Sequence, residues 1–163
     1  APKNVKFIIA PHNIKSSQIS DFQDKLNIKS ILFSEKENNE LTASNAFIID
    51  TIGLLSKIYS YADIAYVGGA LGNTGLHNTL EPAVFGIPII IGHNHSKFPE
   101  AQAMISNGGM YSISNQESFN SILNSLIQNE EKRMRSGHQN LDFINKNKGA
   151  VTQILDYLNI KKD

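Results

Sequence analysis

The stretch Asp63–Gly92, DIAYVGGALGNTGLHNTLEPAVFGIPIIIG, decides how the rest of the chain is read. Ile64 to Val67 is an apolar run that stops at Gly68-Gly69, and a run apolar on both faces suits a buried parallel strand. Gly72 and Gly75 complete a GGxxGxxG spacing, in which the backbone can turn with positive φ or approach a ligand closely. Pro82 is tolerated only near a helix start, so the pattern predicts a helix beginning at His77 or Asn78. Gly86 is placed to end that helix, Pro88 lies just beyond, and Ile87 to Ile91 reads as the next strand. A strand, glycine loop and helix in this order bring backbone N–H groups and the positive end of a helix to one place, which suits an anion.

The flanking sequence repeats the alternation. Upstream, Val5 to Ala10 reads as a core strand stopped by Pro11, and Ile19, Phe22 and Leu26 form one face of a helix. Ser30 to Phe33 is a short strand, Ser34 to Asn45 a polar loop, and Phe47 to Asp50 another strand. Thr51-Ile52-Gly53 then turns into a helix carrying Leu54, Leu55, Ile58 and Tyr59. Downstream, Pro99 opens a helix, Met110 to Ile113 is a final strand, and helices cover 116–128, 130–145 and 150–158. Such alternation predicts an α/β fold, a Rossmann-like parallel sheet with helices on both faces. Ligands in such sheets lie beyond the carboxyl ends of the strands. Three loops leave in that direction: Pro11 to Lys15, Asp50 to Gly53, and Gly68 to His77.

Composition narrows the function. A chain of 163 residues with 40% hydrophobic residues suits one domain, 1–163, with a real core. Lys+Arg and Asp+Glu balance at 15 each, so no overall charge calls for nucleic acid. The absence of cysteine removes disulfides, thiolate metal sites and a Cys nucleophile. No stretch reaches the roughly 18 apolar residues of a membrane span. The chain opens on Ala and enters a strand almost at once, as expected of a fragment.

The glycine spacing alone is weak, being neither GxGxxG nor a Walker loop. His77, Asn78 and Glu81 add to it, since spacings of three and four put them on one face of a first helical turn. Leu76, Leu80 and Val84 then take the core-facing side. A carboxylate in that place can accept from two neighbouring sugar hydroxyls while N–H groups hold a phosphate. The same Asn78-Thr79-Leu80-Glu81 run also fits a capping box, with Glu81 bonding back to the cap N–H. His93 and His95 have a spacing compatible with metal, but no acidic or thiol cluster supports it, so neither metal nor cofactor is expected. Lys132, Arg133 and Arg135 read as a solvated helix face.

From about Val5 to Leu158 the chain resembles the C-terminal, donor-binding half of 3-deoxy-D-manno-octulosonic acid (Kdo) transferases, which are GT-B glycosyltransferases. The resemblance is densest over Asp50-Thr51-Ile52-Gly53, Tyr61-Ala62-Asp63, Gly68-Gly69, His77-Asn78-x-Leu80-Glu81-Pro82, Gly86-Ile87-Pro88, and Gly92 with Phe98. It implies binding of CMP-Kdo and transfer of Kdo to the lipid A precursor in lipopolysaccharide biosynthesis, at the cytoplasmic face of the bacterial inner membrane. It places Gly68, Gly69, His77 and Asn78 around the nucleotide phosphate, Glu81 on the ribose, and Ile52 and Gly53 against the cytosine. His12 matches the histidine of a Pro-Arg-His motif whose arginine is replaced by Pro11, and Lys15 is the candidate for the lost charge. Leu54, Ala70 and Leu76 also depart from the usual glutamate, serine and glycine. The resemblance puts the general base and the acceptor surface in an N-terminal domain with no counterpart here. It therefore implies no catalytic residue in this chain, which alone would be inactive. Two alternatives stay open: another GT-B enzyme using a UDP-sugar, as transferase or epimerase, or a nucleotide-binding module without catalysis.

Overall fold

The computed structural model describes residues 5–38 and 40–158. The chain divides into two compact units, Ala1–Ile58 and Tyr59–Asp163. Each is a small α/β layer built on a parallel sheet.

In the first unit, strands β1 (Phe7–Ile9), β2 (Ser30–Leu32) and β3 (Ala46–Ile48) lie in the order β1-β3-β2. Phe7 and Ser30 both pair with Ala46, so the two outer strands are in register across the central one. Helix α1 (Ser16–Lys25) makes the crossover from β1 to β2 and buries Ile19. The predicted polar loop contains two short 3-10 helices, Phe33–Asn38 and Leu41–Ala43. The predicted amphipathic helix after Gly53 is reduced to a single turn, α2 (Leu55–Ile58), with no buried residue. A 3-10 turn at Tyr59–Tyr61 follows. Asp50 ties the end of β3 to the segment after β2, accepting from Ser34 N–H at 3.0 Å and Ser34 Oγ at 2.5 Å.

In the second unit, β4 (Ala65–Val67), β5 (Ile89–Gly92) and β6 (Met110–Ile113) form a parallel sheet in chain order. Central β5 carries Ile89, Ile90 and Ile91, all with no exposed surface. Burying each contributes about 1.5–3 kcal/mol. Ile89 and Ile91 pack into one cluster with Ala83, Ala101 and Met104, while Ile90 joins Ile113 and Leu126 on the other face. Helices α3 (Leu80–Val84) and α4 (Pro99–Ser106) supply the first cluster, and α5 (Gln116–Gln128) supplies Leu126 to the second. Both faces are thus covered by helix, as the alternation predicts. Edge strand β4 departs from that reading: Ala65 and Val67 are buried but Tyr66 is 46% exposed, its ring edge-on to Phe119.

Helix α6 (Glu130–Asn147) locks this unit. A Cβ at Gly137 would stand 2.0 Å from Gly86 O, so only glycine lets α6 approach the end of α3 this closely. Asn140, fully buried, donates from Nδ2 to Ile87 O and Gly109 O, both at 2.8 Å, joining the lead-ins of β5 and β6. Its predicted solvated cations are partly structural. Lys132 Nζ donates to Ser125 Oγ at 2.8 Å and Arg133 to Leu126 O at 2.9 Å. Helix α7 (Ala150–Tyr157) completes the described chain.

Candidate nucleotide site

At the carboxyl end of β4 the glycine-rich segment folds back on itself. Gly68 O accepts the His77 N–H at 3.2 Å, closing the neck. Gly69 has φ +98°, and a Cβ there would lie 1.9 Å from Gly75 O. Thr74 Oγ1 donates to Gly69 O at 3.2 Å across the same pinch. Gly69 therefore cannot be exchanged for a larger residue without opening the loop, whereas a Cβ at Gly68 meets nothing within 4 Å.

The helix after this loop starts later than its sequence predicts. Its first residue is Leu80 rather than His77 or Asn78, and it has only five residues. His77 and Asn78 precede it, so they share no helical face with Glu81. The expected core-facing side is also corrected. Leu76 is buried, but Leu80 and Val84 are 40% and 52% exposed, and Pro82 and Ala83 face the core instead. Pro82 explains the shift, because its ring excludes the preceding turn from a longer helix and withholds an N–H.

This late start changes the anion chemistry. Leu80 N–H donates to Asn78 Oδ1 at 3.0 Å, and Ala83 N–H closes onto Thr79 O at 3.3 Å. With Pro82 lacking an N–H and His77 N–H bonded to Gly68 O, most donors expected at the helix end are already engaged. A five-residue helix also carries little of the aligned dipole of a long one. The start of α3 is thus a weaker place for an anion than its sequence suggests.

Asn78 and Glu81 are joined directly. Asn78 Nδ2 donates to Glu81 Oε1 at 3.0 Å, so one amide both starts the helix and orients the carboxylate. The capping-box alternative is not formed: Thr79 occupies the cap position with no side-chain cap bond. The reciprocal box lies at Asn115 and Ser118, at the start of α5. Glu81 is partly buried, and Tyr59 stands near it, its ring 6.4 Å from that of Phe85. Burial, and then the negative charge of Glu81, push the Tyr59 phenol above its ordinary value. The sequence gives no warning of this neighbour, since Tyr59 reads only as a helix-face aromatic.

The remaining predicted residues lie in the first unit, each at the carboxyl end of a strand. His12 and Lys15 follow β1 and are exposed. Ile52 and Gly53 follow β3 in a turn where Gly53 has φ +87° and Ile52 is 88% exposed. The neighbouring Asp50 carboxyl is pushed up by burial, but the Ser34 hydroxyl and N–H, with its own N–H, outweigh this and hold it below its ordinary value. His93 is exposed and His95 partly buried, and the described residues contain no group of three or more metal-ligating side chains. No helix among them is long and apolar enough to cross a membrane.

Parallel strands between helices, with a glycine loop and a carboxylate at their carboxyl ends, give the fold of the C-terminal domain of GT-B glycosyltransferases. The solved C-terminal CMP-Kdo binding domain of WaaA from Acinetobacter baumannii has this fold: it matches 87% of this chain and 90% of its own, with TM-score 0.74 and 15% identity. Sequence identifies the relatives more narrowly. A 3-deoxy-D-manno-octulosonic acid transferase of Haemophilus influenzae is 30% identical over 161 residues, covering 96% of this chain and 37% of its own length. The transferase of Chlamydophila psittaci is 36% identical over 109 residues, 65% of this chain and 25% of its own. No family model matches. In sequence the chain is similar to Kdo transferases, and it spans little more than a third of the length of the Haemophilus relative.

Proposed function

We propose that this chain is the donor-binding part of a Kdo transferase, receiving CMP-Kdo for transfer to the lipid A precursor. The observation that carries the reading is the Glu81 carboxylate, fixed by Asn78 at 3.0 Å beside a pinched glycine loop. In this reading Glu81 accepts the ribose hydroxyls, and Gly68, Gly69 and His77 surround the phosphate. Asn78 serves mainly by aiming Glu81. The roles of Ile52 and Gly53 on cytosine, and of His12 and Lys15 as further polar and cationic groups, rest on the resemblance. An exposed isoleucine beside a positive-φ glycine is apt for an aromatic base.

The reaction would be displacement at the anomeric carbon: an acceptor hydroxyl oxygen forms the new bond as the bond to CMP breaks. A base outside this chain takes the hydroxyl proton, and the CMP phosphate carries away the electron pair. In the full-length enzyme the acceptor domain and the inner membrane surface would lie with the remaining sequence. Calorimetric titration with CMP, UMP and UDP tests the donor assignment. CMP is expected to bind tightest, and equal or tighter binding of UDP would transfer the chain to enzymes using UDP-sugars.

A further inference from the structure

The glycine loop is held at a second place, remote from its neck. Beyond β5 the chain enters Gly92-His93-Asn94-His95, and Asn94 reaches back to the loop with both its backbone and its side chain. Its N–H donates to Ala70 O at 2.9 Å, and its Nδ2 donates to Gly72 O at 2.9 Å. Ala70 is fully buried, and a Cβ at Gly92 would stand 2.2 Å from Ala70 C and Leu71 N. The loop tip is therefore laid directly on the end of the central strand and fastened there by one residue.

We infer that Asn94 is a positioning residue for the donor phosphate, holding the tip of the 69–75 loop in its anion-receiving shape. The inference rests on the proposed nucleotide reading and adds a residue to it. The neck contacts at Gly68, Gly69 and Thr74 hold the loop's two ends together but leave its tip free to swing. The two Asn94 bonds remove that freedom. Because the donors at the start of α3 are engaged within the protein, phosphate binding depends on loop groups arranged in advance. Preorganisation of this kind appears as affinity for the phosphate, since less ordering remains to be done on binding.

The test compares wild type with Asn94→Ala and Asn94→Asp, both of which keep the backbone bond. Alanine removes the side-chain donor, and aspartate turns an acceptor toward Gly72 O. Hydrogen exchange of the Leu71–Gly75 amides, melting temperature, and titration with CMP and with cytidine are measured together. Both variants should exchange faster in the loop and bind CMP about two- to ten-fold more weakly, the value of one neutral hydrogen bond. Cytidine, which has no phosphate, should bind as to wild type, and the melting temperature should hold. Unchanged loop exchange would overturn the inference, as would a loosened loop with unchanged CMP affinity. Equal weakening of CMP and cytidine would overturn it too, by showing a general structural role. Failure of the nucleotide reading is separately visible: wild type would not bind CMP, and the inferred phosphate role would fall with it, while exchange still reported whether Asn94 holds the loop.

Discussion

Replacing Glu81 by alanine separates recognition of a sugar from support of a helix. An ionised carboxylate has about four lone-pair sites, and Asn78 Nδ2 occupies one on Oε1, leaving room for two vicinal hydroxyls. A hydrogen bond to a charged group contributes roughly 1.5–3 kcal/mol, and the partial exposure of Glu81 favours the lower end. Wild type should therefore prefer CMP to deoxy-CMP, and Glu81→Ala should weaken CMP by about one to two powers of ten. Deoxy-CMP should weaken much less, so the preference disappears. The stability cost should be small, because Glu81 makes no bond to the cap N–H and loses only its link to Asn78; about 1 kcal/mol or less is expected. The Tyr59 phenol gives an independent check that folding is intact. Without the Glu81 charge it should titrate lower than in wild type, yet burial should still hold it above its ordinary value. Paired calorimetric titrations beside a melting curve measure all of this. A lowered melting temperature with an unchanged CMP to deoxy-CMP ratio would refute the ribose assignment.

Two glycines of the same region should behave oppositely. Gly92→Ala drives a methyl into the Ala70–Leu71 backbone and should destabilise by roughly 1–3 kcal/mol or more, read from denaturant unfolding. Gly68→Ala meets no neighbour within 4 Å, so its melting should be nearly unchanged while CMP binding falls. Tight CMP binding by that variant would remove Gly68 from the phosphate site. In the first unit, the lowered Asp50 value means its contribution is complete above the ordinary carboxylate range and is lost as pH falls through the folded value. Ser34→Ala should therefore lower stability near neutral pH and flatten the acid limb of stability against pH. Parallel acid limbs in wild type and variant would contradict the role of Ser34.

The parts legible in the sequence are those with local causes. Pro99 opens α4 and the apolar face of α5 buries Leu126, because helix-start signals and periodicity act within a few residues. Parallel pairing followed from alternation alone. The start of α3 was misplaced because His77, Asn78 and Glu81 have helical spacing, yet Pro82 and the Asn78–Leu80 bond favour a turn before the helix. The residues proposed for the site can be named from the sequence, but the engagement of the donors around them cannot. Asn94 lies 22 residues from Gly72 in the chain and Tyr59 lies 22 before Glu81, distances over which no periodicity speaks. Gly137 and Asn140 were hidden in the same way: a glycine within a polar helix acquires meaning only when Gly86 is packed against it.

The division of labour around α3 also gives the proposed site a direction. A carboxylate and a phosphate at about 4 Å repel by roughly 1 kcal/mol even in water, and by more where solvent is excluded. In the proposed reading Glu81 and the anion therefore occupy opposite ends of the bound nucleotide portion, with the ribose between them. Asn78 fixes Glu81 Oε1 at 3.0 Å, while its own Oδ1 takes up Leu80 N–H. The loop pinned by Asn94 is left as the place for negative charge. Thus the short helix, which weakens a dipole-based anion site, strengthens the case for an oriented one: sugar toward Glu81, phosphate toward the glycines. Removing the charge should reveal that polarity. Glu81→Gln keeps an acceptor for Asn78 and the ribose but removes the repulsion, so it should weaken CMP less than Glu81→Ala. With the repulsion gone, it should raise the preference for CMP over cytidine if the phosphate comes near α3, and leave that preference unchanged if the phosphate lies with the glycines.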